Sequence, residues 1–330
     1  MAGRYIKLII AVVLISIVLA CTMPISVIAA FVGNDEISSE AAIIIDSDTG
    51  LVIYEYNADE MRVPASMTKM IAVLVIFEAI RDNIVSLDTI VYTSEEISLF
   101  SYMRDYSNVP MPLNSSYTVS ELLDVIIVRS ACAATVALGE AVFGSEEATV
   151  ARMNEKLEQL GISGVFYDCW GRSPDNRISA RGMAAVARAI IKEYPEVLGI
   201  SSKASVIFDG VSYNSTNFLV GTYEGVDGLK TGFTNPAGWC FTGTAVQNGR
   251  RIITVTMGSS GGKRFVDSRI LLDFGFNNVN PVIANHFRSS IRPEGTRQMS
   301  DSALVPTILY NIEEAKYFEM RSLALILNES

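Results

Sequence analysis

Hydrophobic and polar positions predict strands near both ends of the chain and helices between them. Two β-rich runs near the beginning flank the turn residues Asp46-Ser47-Asp48-Thr49-Gly50, which predicts a hairpin. Two strand-like runs near the end flank Gln247-Asn248-Gly249-Arg250, and an Asn-Gly pair there is typical of a tight hairpin turn. The predicted strands comprise residues 42–45, 51–56, 239–246 and 251–257, with a further strand that carries Thr231 and Gly232.

The middle of the chain has the pattern of packed helices. Apolar residues fill nearly every position from Met70 to Ile80, which indicates a helix that is buried on all sides. Another helix begins after Thr118, which forms a capping-box pattern with Glu121. Further helices are predicted over residues 133–142, 146–160, 179–194 and 263–274. We therefore expect an α/β (α+β) fold with a mostly antiparallel five-stranded sheet, flanked by helices and carrying an inserted helical subdomain.

The N-terminus has the pattern of an export signal. Arg4 and Lys7 precede a short apolar stretch over residues 8–20, and small residues follow at Ala29 and Ala30. We interpret residues 1–30 as a signal peptide that is cleaved near Ala30; lipidation at Cys21 is the alternative. In both cases we expect export to the cell envelope, either to the outer face of the cytoplasmic membrane or as a secreted protein.

The rest of the chain divides into a main domain over residues 31–277 and a short C-terminal extension over residues 278–330. The extension is compatible with a truncated second domain. Residues 307–327 have a helical pattern with charges of both signs but no basic face, so peripheral membrane association stays an open expectation.

Composition excludes several classes of function. The formal net charge is −10, and no basic block or stripe is present, so we expect no nucleic-acid partner. The single histidine, His286, supports neither a Ser-His-Asp triad nor a multi-histidine metal site. Three cysteines remain after Cys21 and give no disulfide framework. We expect no metal and no cofactor.

A serine and a lysine three residues apart, Ser66 and Lys69, stand at the start of the long apolar run. Residues i and i+3 share a helix face, so the two side chains should point the same way. Burial favours a neutral amine, which can take a proton from a nearby hydroxyl. Because this four-residue pattern is common, on its own it favours an ordinary lysine that extends towards solvent.

Two further motifs change that balance: Ser130-Ala131-Cys132 and Lys230-Thr231-Gly232. Together with Ser66-x-x-Lys69 they approach the S-x-x-K, S-x-N and K-T-G set of the penicillin-recognising serine enzymes. The chain resembles the D-alanyl-D-alanine carboxypeptidases of the low-molecular-weight penicillin-binding protein family over about residues 38–277. The runs 225–232 and 153–156 are also similar to that family.

The resemblance implies a β-lactamase-like fold and a serine D,D-carboxypeptidase. Such an enzyme removes the terminal D-alanine from peptidoglycan stem pentapeptides through an acyl-enzyme, and β-lactams acylate the same serine. The implied nucleophile is Ser66, with Lys69 as general base, Ser130 as proton relay and the backbone N–H of Phe233 in the oxyanion hole. The implied substrate-binding residues are Lys230, Thr231, Gly232, Cys132 and Arg264.

Cys132 departs from the family pattern, which has asparagine there. A thiol is a weaker hydrogen-bonding group than an amide, so substrate anchoring and the orientation of Lys69 are expected to change. The alternatives are a β-lactamase or a D,D-transpeptidase of the same fold. An alternative of another class is a catalytically weak protein that binds peptidoglycan or regulates its synthesis.

Overall fold

The structure is a computed structural model that describes residues 36–277. The predicted signal peptide, Cys21, His286 and the C-terminal extension lie outside the described residues. Among residues 36–277, none of the helices combines the length and the apolar character that a membrane span requires.

A five-stranded sheet forms the centre of the described region. Its strands are β1 (Ala41–Asp46), β2 (Val52–Tyr56), β9 (Val226–Thr234), β10 (Gly238–Gln247) and β11 (Arg250–Ser259). The strand order is β2-β1-β11-β10-β9, and each neighbouring pair is antiparallel. Both predicted hairpins, β1–β2 and β10–β11, are confirmed. The pairing of β1 with β11 joins the two strand-rich parts of the chain, and β9 forms one edge.

Six α-helices begin and end close to the predicted bounds, and two short ones had no predicted bounds, which gives eight α-helices in the described region. They are α1 (Lys69–Arg81), α2 (Glu95–Ser101), α3 (Val119–Val128), α4 (Cys132–Phe143), α5 (Glu146–Gln159), α6 (Ala180–Glu193), α7 (Val197–Ser201) and α8 (Arg264–Asn277). Thr118 and Glu121 form the predicted capping box at the start of α3. The expected fold class is confirmed: an antiparallel sheet flanked by helices, with a helical part between β2 and β9.

Three small hairpins were not predicted. They are formed by β3 (Ile90–Tyr92) with β4 (Ser116–Thr118), β5 (Gly164–Val165) with β6 (Arg177–Ile178), and β7 (Ser205–Phe208) with β8 (Val211–Asn214). Each strand has only two to four residues. A period-2 pattern cannot be recognised over so short a stretch, which explains the omission.

The sheet separates two hydrophobic cores. In β1, Ile43 and Ile45 belong to the large core shared with the helical part, whereas Ala42 and Ile44 belong to a smaller core that includes residues of α8. This alternation follows from the period of two along a strand. Since both faces are covered, all six residues of β1 are buried.

Helix α1 runs through the large core. Residues 69–79 are buried along its entire circumference, as the continuous apolar run predicted. Its far end is fixed by the buried Glu78, whose carboxylate accepts hydrogen bonds from Lys156 at 3.0 Å and Arg152 at 2.6 Å. Burial raises the pKa of Glu78, but the hydrogen bond and charge of Lys156 outweigh burial and hold it below its usual value. This paired anchor fixes the helix that carries Lys69.

Candidate active site

Ser66 lies in a single 3-10 turn, Ala65–Thr68, and Lys69 is the first residue of α1. The spacing had suggested that both residues lie on one continuous helix. Instead, Ser66 lies in the turn that precedes the helix. The turn still brings their side chains together, with Lys69 Nζ 3.0 Å from Ser66 Oγ. Lys69 is fully buried, which excludes the alternative of an ordinary lysine that extends into solvent.

Lys69 has two further partners that fix the direction of its amine. Nζ donates a hydrogen bond to the backbone carbonyl of Trp170 at 2.6 Å, and it lies 3.4 Å from the sulfur of Cys132. A neutral amine has two N–H donors and one lone pair. If the two N–H groups face Trp170 and Cys132, the lone pair faces Ser66 Oγ, which is the orientation needed to remove the hydroxyl proton.

Ser130 lies in the short connection between α3 and α4, where the sequence analysis placed it. Its side chain is buried, and its backbone has a φ of 69°, a left-handed conformation that is uncommon outside glycine. Cys132 begins α4, and its N–H donates to the carbonyl of Ser107 at 2.9 Å. The connection is thus held in place next to Lys69.

Lys230, Thr231 and Gly232 lie in the edge strand β9, and all three are buried. Burial is the main cause that lowers the pKa of Lys230 well below its usual value, and the charge of Lys69 lowers it further. Lys230 lines the same small cavity as Lys69. Its amine donates to the carbonyl of Thr231 at 3.1 Å, and the hydroxyl of Thr231 donates to Thr216 Oγ1 at 2.8 Å.

Gly232 packs β9 directly against the turn that carries Ser66. A Cβ at this position would lie 2.7 Å from the carbonyl oxygen of Pro64, so a larger residue would push the strand away. Phe233 is the next residue along the strand; its side chain is exposed, and its ring packs on Trp239 with the centroids 4.3 Å apart. The backbone of β9 therefore runs beside the nucleophile turn.

Arg264 is buried at the start of α8 and is not a surface charge. Its Nη1 donates to the carbonyl of Gly232 at 3.1 Å, and its guanidinium lies 4.7 Å from the ring centroid of Trp239. Burial lowers its pKa to about 10. Within residues 36–277 its Nε has no hydrogen-bond partner, so the guanidinium keeps donor capacity next to β9.

Sequence reasoning missed the loop over residues 166–176, which connects β5 with β6. The loop supplies the Trp170 carbonyl to Lys69, and Gly171 lies against the backbone of Ala65 and Ser66. A backbone carbonyl leaves no mark in the residue type at its position, so the sequence offered only the weak indication of a glycine in a loop.

The charges at the site favour an anionic ligand. Besides Lys69, the basic residues Lys230 and Arg264 are buried, and neither of these two forms an ion pair with an acidic residue of the described region. Since buried cations are normally paired, a carboxylate is the chemical group best suited to this pocket. The arrangement can thus activate a hydroxyl nucleophile and bind an anionic group beside it.

Comparison with known proteins agrees with this geometry. A sequence profile of the D-alanyl-D-alanine carboxypeptidase family matches residues 28–261. D-alanyl-D-alanine carboxypeptidase DacF of Bacillus subtilis is 33% identical over 257 residues, which cover 74% of this chain and 64% of DacF. DacA of Escherichia coli is 31% identical over 267 residues, which cover 76% of this chain and 64% of DacA. The match thus spans less than two thirds of the length of these relatives.

Solved structures give the same result for the fold. Penicillin-binding protein 5 of Haemophilus influenzae superposes with a TM-score of 0.71 at 30% identity and covers 75% of this chain and 73% of its own. A peptidoglycan synthesis regulatory factor of Streptococcus pneumoniae has a TM-score of 0.69 at 35% identity, with 72% and 71% covered. Penicillin-binding protein D2 of Listeria monocytogenes, solved in an ampicillin-bound form, has a TM-score of 0.64 at 30% identity, with 73% and 98% covered.

Proposed function

The chain belongs to the D-alanyl-D-alanine carboxypeptidase family, and from this premise we propose that it is a serine D,D-carboxypeptidase of peptidoglycan. It removes the terminal D-alanine from stem pentapeptides through an acyl-enzyme on Ser66. The observation that carries the proposal is the buried Lys69 amine, 3.0 Å from Ser66 Oγ and turned towards it by two other partners.

In the acylation step, the neutral Lys69 amine accepts the proton of Ser66 as its Oγ attacks the carbonyl carbon of the scissile peptide bond. Negative charge develops on the carbonyl oxygen, and the backbone N–H groups of Ser66 and Phe233 stabilise it. Ser130, two residues before Cys132 in the connection between α3 and α4, passes to the departing amine of D-alanine the proton that Lys69 took up. Water then hydrolyses the ester and regenerates the serine.

The substrate lies along β9 as an additional strand, because this edge of the sheet is the one beside Ser66. Its terminal carboxylate is attracted by Lys230 and Arg264 and is bonded by Thr231. The absence of a larger side chain at Gly232 permits the close approach of the peptide to the strand. β-Lactams, which carry a carboxylate and a strained amide, occupy the same place and acylate Ser66.

Release of D-alanine from a synthetic pentapeptide ending in D-Ala-D-Ala tests the activity. The purified chain should release one equivalent of D-alanine per peptide, and a fluorescent penicillin should label it covalently. Ser66→Ala should abolish both signals and keep the thermal unfolding midpoint close to that of the wild type. Release of D-alanine by Ser66→Ala, or equal labelling of both proteins, would contradict the assignment of the nucleophile.

Cys132 favours a second candidate, D,D-transpeptidation. Its sulfur takes the place of an amide beside Lys69, and a thiol binds the substrate backbone and the amine more weakly. Acylation is then retained, but the partition of the acyl-enzyme between water and an amine acceptor changes. Adding glycine or D-alanine as an acceptor measures this partition; Cys132→Asn should shift it towards hydrolysis. An unchanged partition would remove the basis for this second candidate.

We also propose that the chain is exported and works in cell wall biogenesis at the outer face of the cytoplasmic membrane. Its substrate lies outside the cytoplasm, and the N-terminal pattern of residues 1–30 supports export. Fractionation of cells that express the full chain, with and without residues 1–30, tests the location. Recovery of the full chain from the cytoplasm alone would contradict it.

A further inference from the structure

The loop over residues 166–176 contacts the catalytic turn at two neighbouring points. The carbonyl of Trp170 accepts a hydrogen bond from Lys69 Nζ at 2.6 Å, and Gly171 lies against the backbone of Ser66. A Cβ on Gly171 would come within 2.8 Å of Ser66 N. The position of this one peptide unit therefore affects both the general base and the nucleophile.

One side chain organises the centre of the loop. The carboxylate of Asp168 accepts hydrogen bonds from the backbone N–H groups of four residues: Trp170 at 2.9 Å, Arg172 at 3.3 Å, Gly171 and Ser173. Oδ1 accepts from Trp170, Gly171 and Arg172, whereas Oδ2 accepts from Ser173. The single carboxylate therefore fixes four consecutive backbone amides, with three donors converging on Oδ1.

The part of the loop that precedes Trp170 is held by other residues. The Asn154 side chain donates to the carbonyl of Phe166 and accepts from its N–H, both at 2.9 Å. The carboxylate of Glu146 accepts from the N–H of Cys169 at 3.2 Å. Loss of the Asp168 carboxylate would thus free the segment that carries the Trp170 carbonyl, while the two anchors that precede this segment remain.

We propose that Asp168 is a positioning residue for acylation. Through four backbone amides it holds the Trp170 carbonyl against Lys69, and that contact directs the remaining face of the amine at Ser66. Asp168 touches neither Ser66 nor Lys69 in the structure, so it acts only through the loop. The inference rests on the proposed function, because it assigns Lys69 the part of the base.

The test is a graded series at position 168, measured as the acylation rate constant with a fluorescent penicillin. Asp168→Ala should lower this rate constant by about 10- to 100-fold, since a displacement of about 1 Å near a reacting group has an effect of that size. Asp168→Asn should retain most of the rate, because its oxygen can still accept from three amides. The acylation rate constant of Asp168→Ser should lie between those of the alanine and asparagine variants.

Two further measurements separate positioning from loss of folded protein. The fraction of molecules finally labelled and the non-covalent affinity for the penicillin should stay near the wild-type values throughout the series. The matched control is Asp46→Ala, which removes a comparable aspartate that accepts from the backbone N–H of Thr49 at 3.0 Å in the β1–β2 turn. It should lower the unfolding midpoint and leave the acylation rate constant unchanged.

The inference is overturned if Asp168→Ala acylates as fast as the wild type. It is also overturned if Asp46→Ala and Asp168→Ala lower the acylation rate constant equally for an equal decrease in the unfolding midpoint. Lower stability would then explain the slower acylation. A wild-type chain that is neither labelled by penicillin nor releases D-alanine would instead overturn the proposed function, and this inference with it.

Discussion

Replacing Gly171 by alanine should damage the catalytic turn far more than it damages the fold. Gly171 has a φ of +96°, and an added Cβ would lie 2.8 Å from Ser66 N. Gly144 is a matched control: its φ is +95°, and a Cβ there would have no heavy atom within 4 Å. The two substitutions share the cost of a left-handed residue and differ only in the collision with the nucleophile turn.

The structure gives the size of both effects. A left-handed conformation costs an L-residue about 1–2 kcal/mol, so Gly144→Ala should lose that amount of unfolding free energy. Gly171→Ala should lose about 1–3 kcal/mol more because of overpacking. Ordinary van der Waals contact begins at 3.4 Å, so the loop and the Ser66 turn must separate by at least 0.6 Å to clear Ser66 N, which the added Cβ would approach to 2.8 Å, and by more to clear the closer carbonyl group of Ala65. Such a displacement should lower the acylation rate about 10- to 100-fold.

Two measurements on the same preparations test this reasoning. Urea unfolding reports the free-energy losses, and labelling with a fluorescent penicillin over time gives the acylation rate constant per active molecule. Gly144→Ala should acylate at the wild-type rate in spite of its lower stability. If Gly171→Ala acylates at the same rate as Gly144→Ala, the loop does not set the geometry of Ser66 and Lys69, and the argument fails.

Four further variants test the charged residues. Burial lowers the pKa of Lys230, so the buried charge destabilises the folded chain at a pH below that pKa, and this cost decreases as the pH rises. Lys230→Met should therefore raise the free energy of unfolding in urea more at pH 7 than at pH 10. Burial raises the pKa of Glu146, so the ionised carboxylate destabilises the folded chain most at a pH above that pKa. Glu146→Gln should therefore raise the free energy of unfolding at pH 7, and this gain should vanish below pH 4.5, the pKa of the group in the unfolded chain. A reversed pH trend in either variant would contradict these signs. Glu78→Ala leaves Lys156 buried without its partner and should lose about 3–5 kcal/mol, whereas truncation of the more exposed Arg152 should lose about 1 kcal/mol or less.

The sequence predicted the main elements because their patterns were long or chemically distinct. The apolar run of α1, the capping box at Thr118 and the Asn-Gly turn each act within a few residues, so tertiary contacts had little to override. The spacing of Ser66 and Lys69 was also sufficient, although the turn between them is a 3-10 turn and not an α-helix. The strand that carries Lys230 was also among the strands predicted near the end of the chain, whereas its place at the active site came from the resemblance to a known motif.

Other parts of the site could not be predicted from residue types. The acceptor for Lys69 is the backbone carbonyl of Trp170, which any residue could supply, and its place depends on the fold of a loop about a hundred positions away. The burial of Arg264 under Trp239 depends on the packing of α8 against the sheet. Such contacts join distant parts of the chain and have no local sequence pattern.

The pairing of β1 with β11 has a consequence for the order in which the chain can fold. Ala41 of β1 pairs with Met257 of β11, so β1 finds its second neighbour only after nearly the whole described region has been synthesised. Contacts of such large sequence separation have a high loop-closure entropy and slow the approach to the native state. Until then β1, with its six buried residues, lacks one of its two partner strands. A nascent or truncated chain that ends before β11 should therefore stay incompletely folded and sensitive to proteases, although it already contains Ser66, Lys69, Ser130 and Lys230.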